Sequence, residues 1–190
     1  MRDITLCHPR LQTLAAQLVE ECARQGLKIK IGETLRTVAE QDAYYAKGRT
    51  VPPIGKQYTV TNAPGSSNSS YHQWGTAFDF YRADGKGAYN ESDRFFERVG
   101  EIGVRLGLEW GGNWKSIIDK PHFQLPDWGS GTGGIKALYR TPEEFMETWK
   151  PEQRLGWQQE SDGWRFYLGN GQPVRPWCAK PMSKTPTSCW

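Results

Sequence analysis

The 190-residue chain contains three histidines, and two of them lie close to carboxylates. His72 sits in Ser70-Tyr71-His72-Gln73-Trp74-Gly75-Thr76-Ala77-Phe78-Asp79, with Asp79 seven residues downstream. His122 sits in Asp119-Lys120-Pro121-His122-Phe123, with Asp119 three residues upstream. Two neutral imidazoles and one carboxylate make a donor set for a catalytic zinc ion whose fourth position is open to water. A second carboxylate nearby is the general base that metal-assisted hydrolysis requires. A lone histidine is more often a surface or core residue, so the joint pattern carries the weight.

Both segments must sit on elements that bring them together. Thr76-Ala77-Phe78-Asp79-Phe80-Tyr81 alternates like a strand, with Thr76, Phe78 and Phe80 on one face. Ala77 and Asp79 fall on the other, where the small alanine leaves room for a metal. Gly75 supplies a bend between His72 and this strand. Pro121 biases Lys120 toward an extended conformation, and His122-Phe123-Gln124-Leu125 then reads as a short strand.

These residues, together with Trp110-Gly111-Gly112-Asn113-Trp114 and Glu33-Thr34-Leu35-Arg36-Thr37, resemble the zinc D-alanyl-D-alanine carboxypeptidase family. Within it the wording is similar to the L-alanyl-D-glutamate endopeptidase branch of phage endolysins and bacterial wall hydrolases. The resemblance runs from about residue 8 to about residue 125. It implies that His72, Asp79 and His122 bind Zn2+, that Asp119 is the catalytic acid/base, and that Arg36 contacts substrate and steadies the developing oxyanion. Ser70, Trp110 and Trp114 join the expected substrate contacts, although core packing accounts equally well for the two tryptophans. The implied partner is bacterial peptidoglycan, cut in its stem peptide at the L-alanyl-D-glutamate bond. D-alanyl-D-alanine carboxypeptidase activity on the same scaffold is the alternative. A non-catalytic zinc-bearing wall-binding module is a third reading, against which Asp119 argues.

Composition is consistent with this. Apolar residues make up 37% of the chain, low for a large core, while nine tryptophans and eight tyrosines suit an aromatic-lined surface. The net charge of +3, from 24 basic and 21 acidic residues, comes without a basic stripe, so no nucleic-acid partner is expected. Cys7, Cys22, Cys178 and Cys189 lack C-x-x-C spacing, which argues against a cysteine zinc site. Cys22 lies on an apolar helical stripe and reads as a buried thiol. Cys178 and Cys189 could bridge in an oxidising environment, with free thiols the default. The N-terminus lacks an apolar signal core and no stretch is long enough to span a membrane. The expectation is a monomer made in the cytoplasm without a signal peptide, without a membrane partner, acting on the wall after endolysin-like release.

The predicted architecture is α+β: a small antiparallel sheet carrying the zinc site, flanked by helices, with a short aromatic C-terminal hairpin. Pro9 to Arg24 keeps helical apolar spacing, and Leu27, Ile29 and Ile31 alternate as a strand. Thr37-Val38-Ala39-Glu40 is a capping-box signature for a second helix. Residues 49–70 form a long loop expected to wall the cleft, with a brief strand at Tyr58–Thr61. A third helix is predicted from Ser92 to Leu106, and Thr141-Pro142 opens a short one. Residues 129–134, rich in glycine and serine, read as a linker. Residues 1–150 are the expected catalytic domain and 151–190 an aromatic tail, with a hairpin about Gly169-Asn170-Gly171. That tail resembles one tryptophan-glycine repeat of wall-binding modules; an aromatic flap packed on the catalytic domain is the competing reading.

The anchor reading is open to test by truncation after Lys150, since every candidate catalytic residue lies upstream. Hydrolysis of small soluble peptides is expected to persist, while binding to purified walls and activity on them fall, because a tether raises local substrate concentration. A truncated enzyme that is insoluble, or binds walls as well as the full chain, counts against the anchor.

Overall fold

A computed structural model describes residues 2–115, 117–149, 155–160 and 163–168. The chain divides into two compact units, Met1–Trp149 and Lys150–Trp190. The first is α+β. Its sheet runs in the order β1 (Ile29–Ile31), β2 (Ala77–Arg82), β4 (His122–Gln124), β3 (Glu109–Trp110), with every neighbouring pair antiparallel.

Alternation along these strands sorts the side chains. Phe78 faces Phe123 across the β2–β4 ladder, and Trp110 faces Phe123 from β3. These rings, with Phe80, form one buried core with α1 (Pro9–Arg24) and α3 (Phe95–Arg105). On the opposite face the same ladders align Ala77 with Gln124, Asp79 with His122 and Glu109 with Gln124.

The helices form for local reasons visible in the residues. Proline opens α1 at a position whose N–H would lack a partner, and Leu11, Leu14, Ala15, Leu18 and Cys22 bury one stripe. Each leucine fully buried in this way contributes about 1.5–3 kcal/mol. Burial also pushes the thiols of Cys7 and Cys22 up, to about 11 and about 12, so both are protonated and inert. In α2 (Val38–Ala46) the capping box is complete: Thr37 Oγ1 accepts from Glu40 N, and Glu40 Oε2 accepts from Thr37 N at 2.8 Å. The third helix begins at Phe95 rather than Ser92, because Asp93 and Arg94 take left-handed φ values of 63° and 52° that interrupt helical propagation.

Two other expectations are corrected. The segment Tyr58–Thr61 is not a strand; a 3-10 turn occupies Lys56–Tyr58, and the loop is pinned to α2 instead of to a sheet. Arg49 donates to the carbonyls of Tyr45 and Thr61 and to Asn62 Oδ1, and Gln41 donates to Ala63 O. Residues 129–134 are not a linker either, since they lead into α4 (Gly133–Leu138), followed by α5 (Pro142–Glu147). Ile135 and Phe145 from these helices pack with Tyr71, Trp74 and Ala77 in a second apolar cluster.

In the second unit, β5 (Leu155–Glu160) and β6 (Gly163–Leu168) form an antiparallel hairpin pairing Glu160 with Gly163. The expected turn at Gly169-Asn170-Gly171 lies outside the described residues, as do Cys178 and Cys189. No helix among the described residues is long and apolar enough to cross a membrane.

The contact between α3 and the sheet depends on Gly100. A Cβ there would overlap the Trp110 ring, which cannot swing away while its indole N–H is held by Lys120 O at 2.8 Å. Alanine gains about 1 kcal/mol in helix propensity, but overpacking a filled core costs about 1–3 kcal/mol. Gly100→Ala is thus expected to destabilise the fold, read as a lower urea midpoint.

Candidate metal centre

His72 lies in a buried 3-10 turn, Tyr71–Trp74, which Gly75 ends at a φ of 65° that favours glycine. The turn is held from several sides. Arg36 N donates to His72 O at 3.1 Å, and the Tyr71 hydroxyl lies 2.7 and 2.8 Å from the carbonyls of Gly129 and Gly131. Lys136 Nζ in α4 reaches Ser67 O and Ser69 Oγ in the loop that feeds the turn. Asp79 and His122 need no such scaffolding, because the β2–β4 register sets them directly opposite each other.

The three donors converge. His72 Nε2, His122 Nδ1 and Asp79 Oδ1 form a triangle with each side 3.2 Å. The other ring nitrogens are engaged outward: His72 Nδ1 faces Thr34 O at 2.8 Å, and His122 Nε2 faces Gln124 Oε1 at 3.1 Å. Both outward partners are acceptors, so each imidazole carries its proton on the outer nitrogen and turns a lone pair inward. Two lone pairs and a carboxylate oxygen at this spacing repel unless a cation or a proton lies among them. The donor set fits a divalent metal ion.

The local electrostatics follow from burial and contact. Burial pulls the His72 pKa below its ordinary value, and Asp79 does not fully offset this. Burial is the largest single influence on His122 and opposes its charge, but the hydrogen bond to Asp79, the charges of Asp79 and Asp119 and the contact with Gln124 together outweigh it and raise its pKa. For Asp79 burial works toward the neutral acid, yet the two imidazoles hold the carboxyl well below the usual range. Arg36 supplies a further cation: its Nη2 donates to Asp79 Oδ2 at 3.0 Å, on the oxygen turned away from the triangle. Its guanidinium also lies over the Tyr44 ring, 4.6 Å from the centroid, which fixes its plane.

A cleft of about 1500 Å³ opens over this group. Arg36, Ser70, Trp114 and Asp119 all line it, with Val60 and Thr61 from the long loop as one wall. Asp119 is half-buried, and burial raises its pKa above the ordinary carboxylate value. Its backbone is held by the Gly111 carbonyl at 3.0 Å, and a Cβ at Gly111 would meet Asp119 O at 2.5 Å. The glycines after Trp110 thus serve internal close packing, Gly111 against Asp119 and Gly112 against the Trp110 ring. Trp110 is corrected too: it alternates with Glu109 on β3, so its ring enters the core and does not line the cleft.

Three contributors escaped the sequence reading: Thr34, Gln124 and Glu109. Gln124 had a signal, since it lies two residues beyond His122 on a strand and must share its face. Thr34 acts through its backbone carbonyl, which side-chain type cannot reveal. Glu109 depends on strand pairing.

The D-alanyl-D-alanine carboxypeptidase family profile matches residues 64–125, from the loop before His72 through β4. The peptidoglycan L-alanyl-D-glutamate endopeptidase CwlK of Bacillus subtilis (strain 168) is 37% identical over 128 residues, which is 62% of this chain and 72% of that protein. This chain belongs to the D-alanyl-D-alanine carboxypeptidase family. A second family relative, the L-alanyl-D-glutamate peptidase of Listeria phage A118, is 34% identical over 122 residues, 62% of this chain but 37% of the phage protein. Among solved structures, the Serratia marcescens L-Ala D-Glu endopeptidase ChiX aligns with 64% of this chain and 82% of its own, at 22% identity and a TM-score of 0.47, too slight a likeness to argue from.

If the triangle holds the metal of this carboxypeptidase-family chain, removing one corner must weaken it. His122→Ala is expected to lower the divalent metal retained per chain after dialysis, measured by elemental analysis. Full stoichiometry in the variant would show that the ion sits elsewhere.

Proposed function

We propose that this chain is a zinc peptidase that cuts peptidoglycan stem peptides at the L-alanyl-D-glutamate bond. The observation that carries the reading is the inward-facing triangle of His72, Asp79 and His122 at the floor of a cleft that Asp119 also lines. The Bacillus subtilis and Listeria phage relatives bear names for that specificity, and the nitrogen-rich donor set suits zinc.

Bound there, zinc supplies Lewis acidity, polarising a carbonyl oxygen and acidifying water. The remaining work falls to the chain's own groups. Asp119 takes the proton of the attacking water on a carboxylate oxygen and passes it to the leaving amine nitrogen. Its half-buried position favours proton uptake over that of a fully solvated aspartate. Arg36, which lines the cleft, stabilises negative charge developing there. Ser70 and Trp114 contribute to the walls that orient the peptide. Residues 151–190 serve as a wall-binding appendage.

Asp119→Asn keeps the side chain's size while removing the base. It is expected to retain zinc and the fold and to lose about 100- to 10,000-fold in turnover on purified wall peptides. Wild-type turnover would remove Asp119 from the reaction. Mass spectrometry of the wild-type products from the same assay identifies the bond. A new amino terminus on D-glutamate marks the endopeptidase, and released D-alanine marks the carboxypeptidase.

A further inference from the structure

Glu109 lies outside the donor triangle yet reaches two groups that border it. β3 sets it directly across from Gln124, so both side chains share the site face of the sheet. Glu109 Oε2 accepts from the Gln124 amide nitrogen at 3.1 Å, and Glu109 Oε1 accepts from the Trp114 indole N–H at 2.7 Å. The Gln124 amide oxygen in turn lies 3.1 Å from His122 Nε2. The circuit closes where the Trp114 ring packs on the His122 ring, with centroids 5.0 Å apart.

This chain of hydrogen bonds has a direction. An ionised carboxylate can only accept, so Glu109 must face the NH2 end of the Gln124 amide. The amide oxygen is then turned to His122, and an oxygen acceptor there requires the imidazole proton on Nε2. A neutral imidazole has one such proton, so Nδ1 faces His72 and Asp79 with a lone pair. We propose that Glu109 is a positioning residue that sets the His122 tautomer by fixing which way the Gln124 amide points. The assignment rests on the metal reading of the site given above. Trp114 gives the same carboxylate a second anchor, so one residue holds both a ligand's tautomer and a wall of the cleft.

Glu109→Gln is nearly isosteric, but its single amide oxygen can serve only one of the two donors. Its new NH2 also permits Gln124 to reverse and donate to His122 Nε2, which favours a proton on Nδ1. Zinc affinity of the full chain, measured by chelator competition, is expected to fall about 10- to 100-fold, the usual effect of losing such a partner. The zinc-free variant should remain folded. Imidazole nitrogen–proton correlation spectra of the zinc-free protein, well above neutral pH, should show the Nε2–H form in the wild type and a mixture in the variant. Gln124→Leu should weaken zinc to a similar extent, and adding Glu109→Gln to it should change little more.

Wild-type zinc affinity in Glu109→Gln, an unchanged tautomer, or fully additive losses in the double variant would each overturn the proposal. Should Glu109→Gln not fold, Glu109→Asp replaces it; it keeps the charge but is too short to span both donors, and the same loss is expected. These readings need no substrate. A wild type that binds zinc but cuts no wall peptide would refute the hydrolase reading while leaving the role of Glu109 decidable.

Discussion

The site depends on one register: Asp79 on β2 directly opposite His122 on β4. Side chains alternate with a period of two along a strand, so a slip of one residue would send Asp79 into the core and bring Phe78 or Phe80 to the site. The same slip would expose rings that are now fully buried. The hydrophobic core and the donor set therefore enforce each other. Phe78 and Phe123 pair on one side of the ladder because Asp79 and His122 pair on the other.

Holding three acceptors in mutual contact is unfavourable without a cation, and the fold offsets this strain with packing placed away from the site. The His72 turn cannot be set by sheet register, since it precedes β2. It is fixed by Tyr71 against the carbonyls of Gly129 and Gly131, by Lys136 against the serine-rich loop, and by the cluster of Trp74, Ile135 and Phe145. The matched family region ends at residue 125, so the outer half of this buttress, Gly129, Gly131, Ile135, Lys136 and Phe145, comes from chain that the family profile does not cover. A segment that resembles a linker by composition thus carries part of the positioning of His72.

Charge in the cleft is arranged in layers. Nearest the triangle, the two imidazoles hold the Asp79 carboxyl well below the usual range despite burial, and Arg36 donates to its far oxygen. Beyond it, Thr34, Gln124 and Glu109 direct protons outward from both imidazoles. Asp119 belongs to neither layer: it is half-buried and lines the cleft.

Much of this was legible in the residues. The α1 span from Pro9 to Arg24, the capping box at Thr37 and Glu40, and the strand through Asp79 follow from local chemistry: apolar spacing, side-chain capping and alternation each act within a few residues. That His72, Asp79 and His122 come together was legible too, because the chain has only three histidines and two of them sit in motifs with a nearby carboxylate. Tertiary structure decided what composition leaves ambiguous. Glycine-rich 129–134 became a support for Tyr71, since neighbouring apolar surface was there to receive α4. Trp110 went to the core and Trp114 to the cleft, although both sit in one motif, because only Trp110 lies on β3, whose pairing with β4 fixes which face its side chain takes. Glu109 reached Gln124 for the same reason: strand partners fifteen residues apart are neighbours only once the ladder forms.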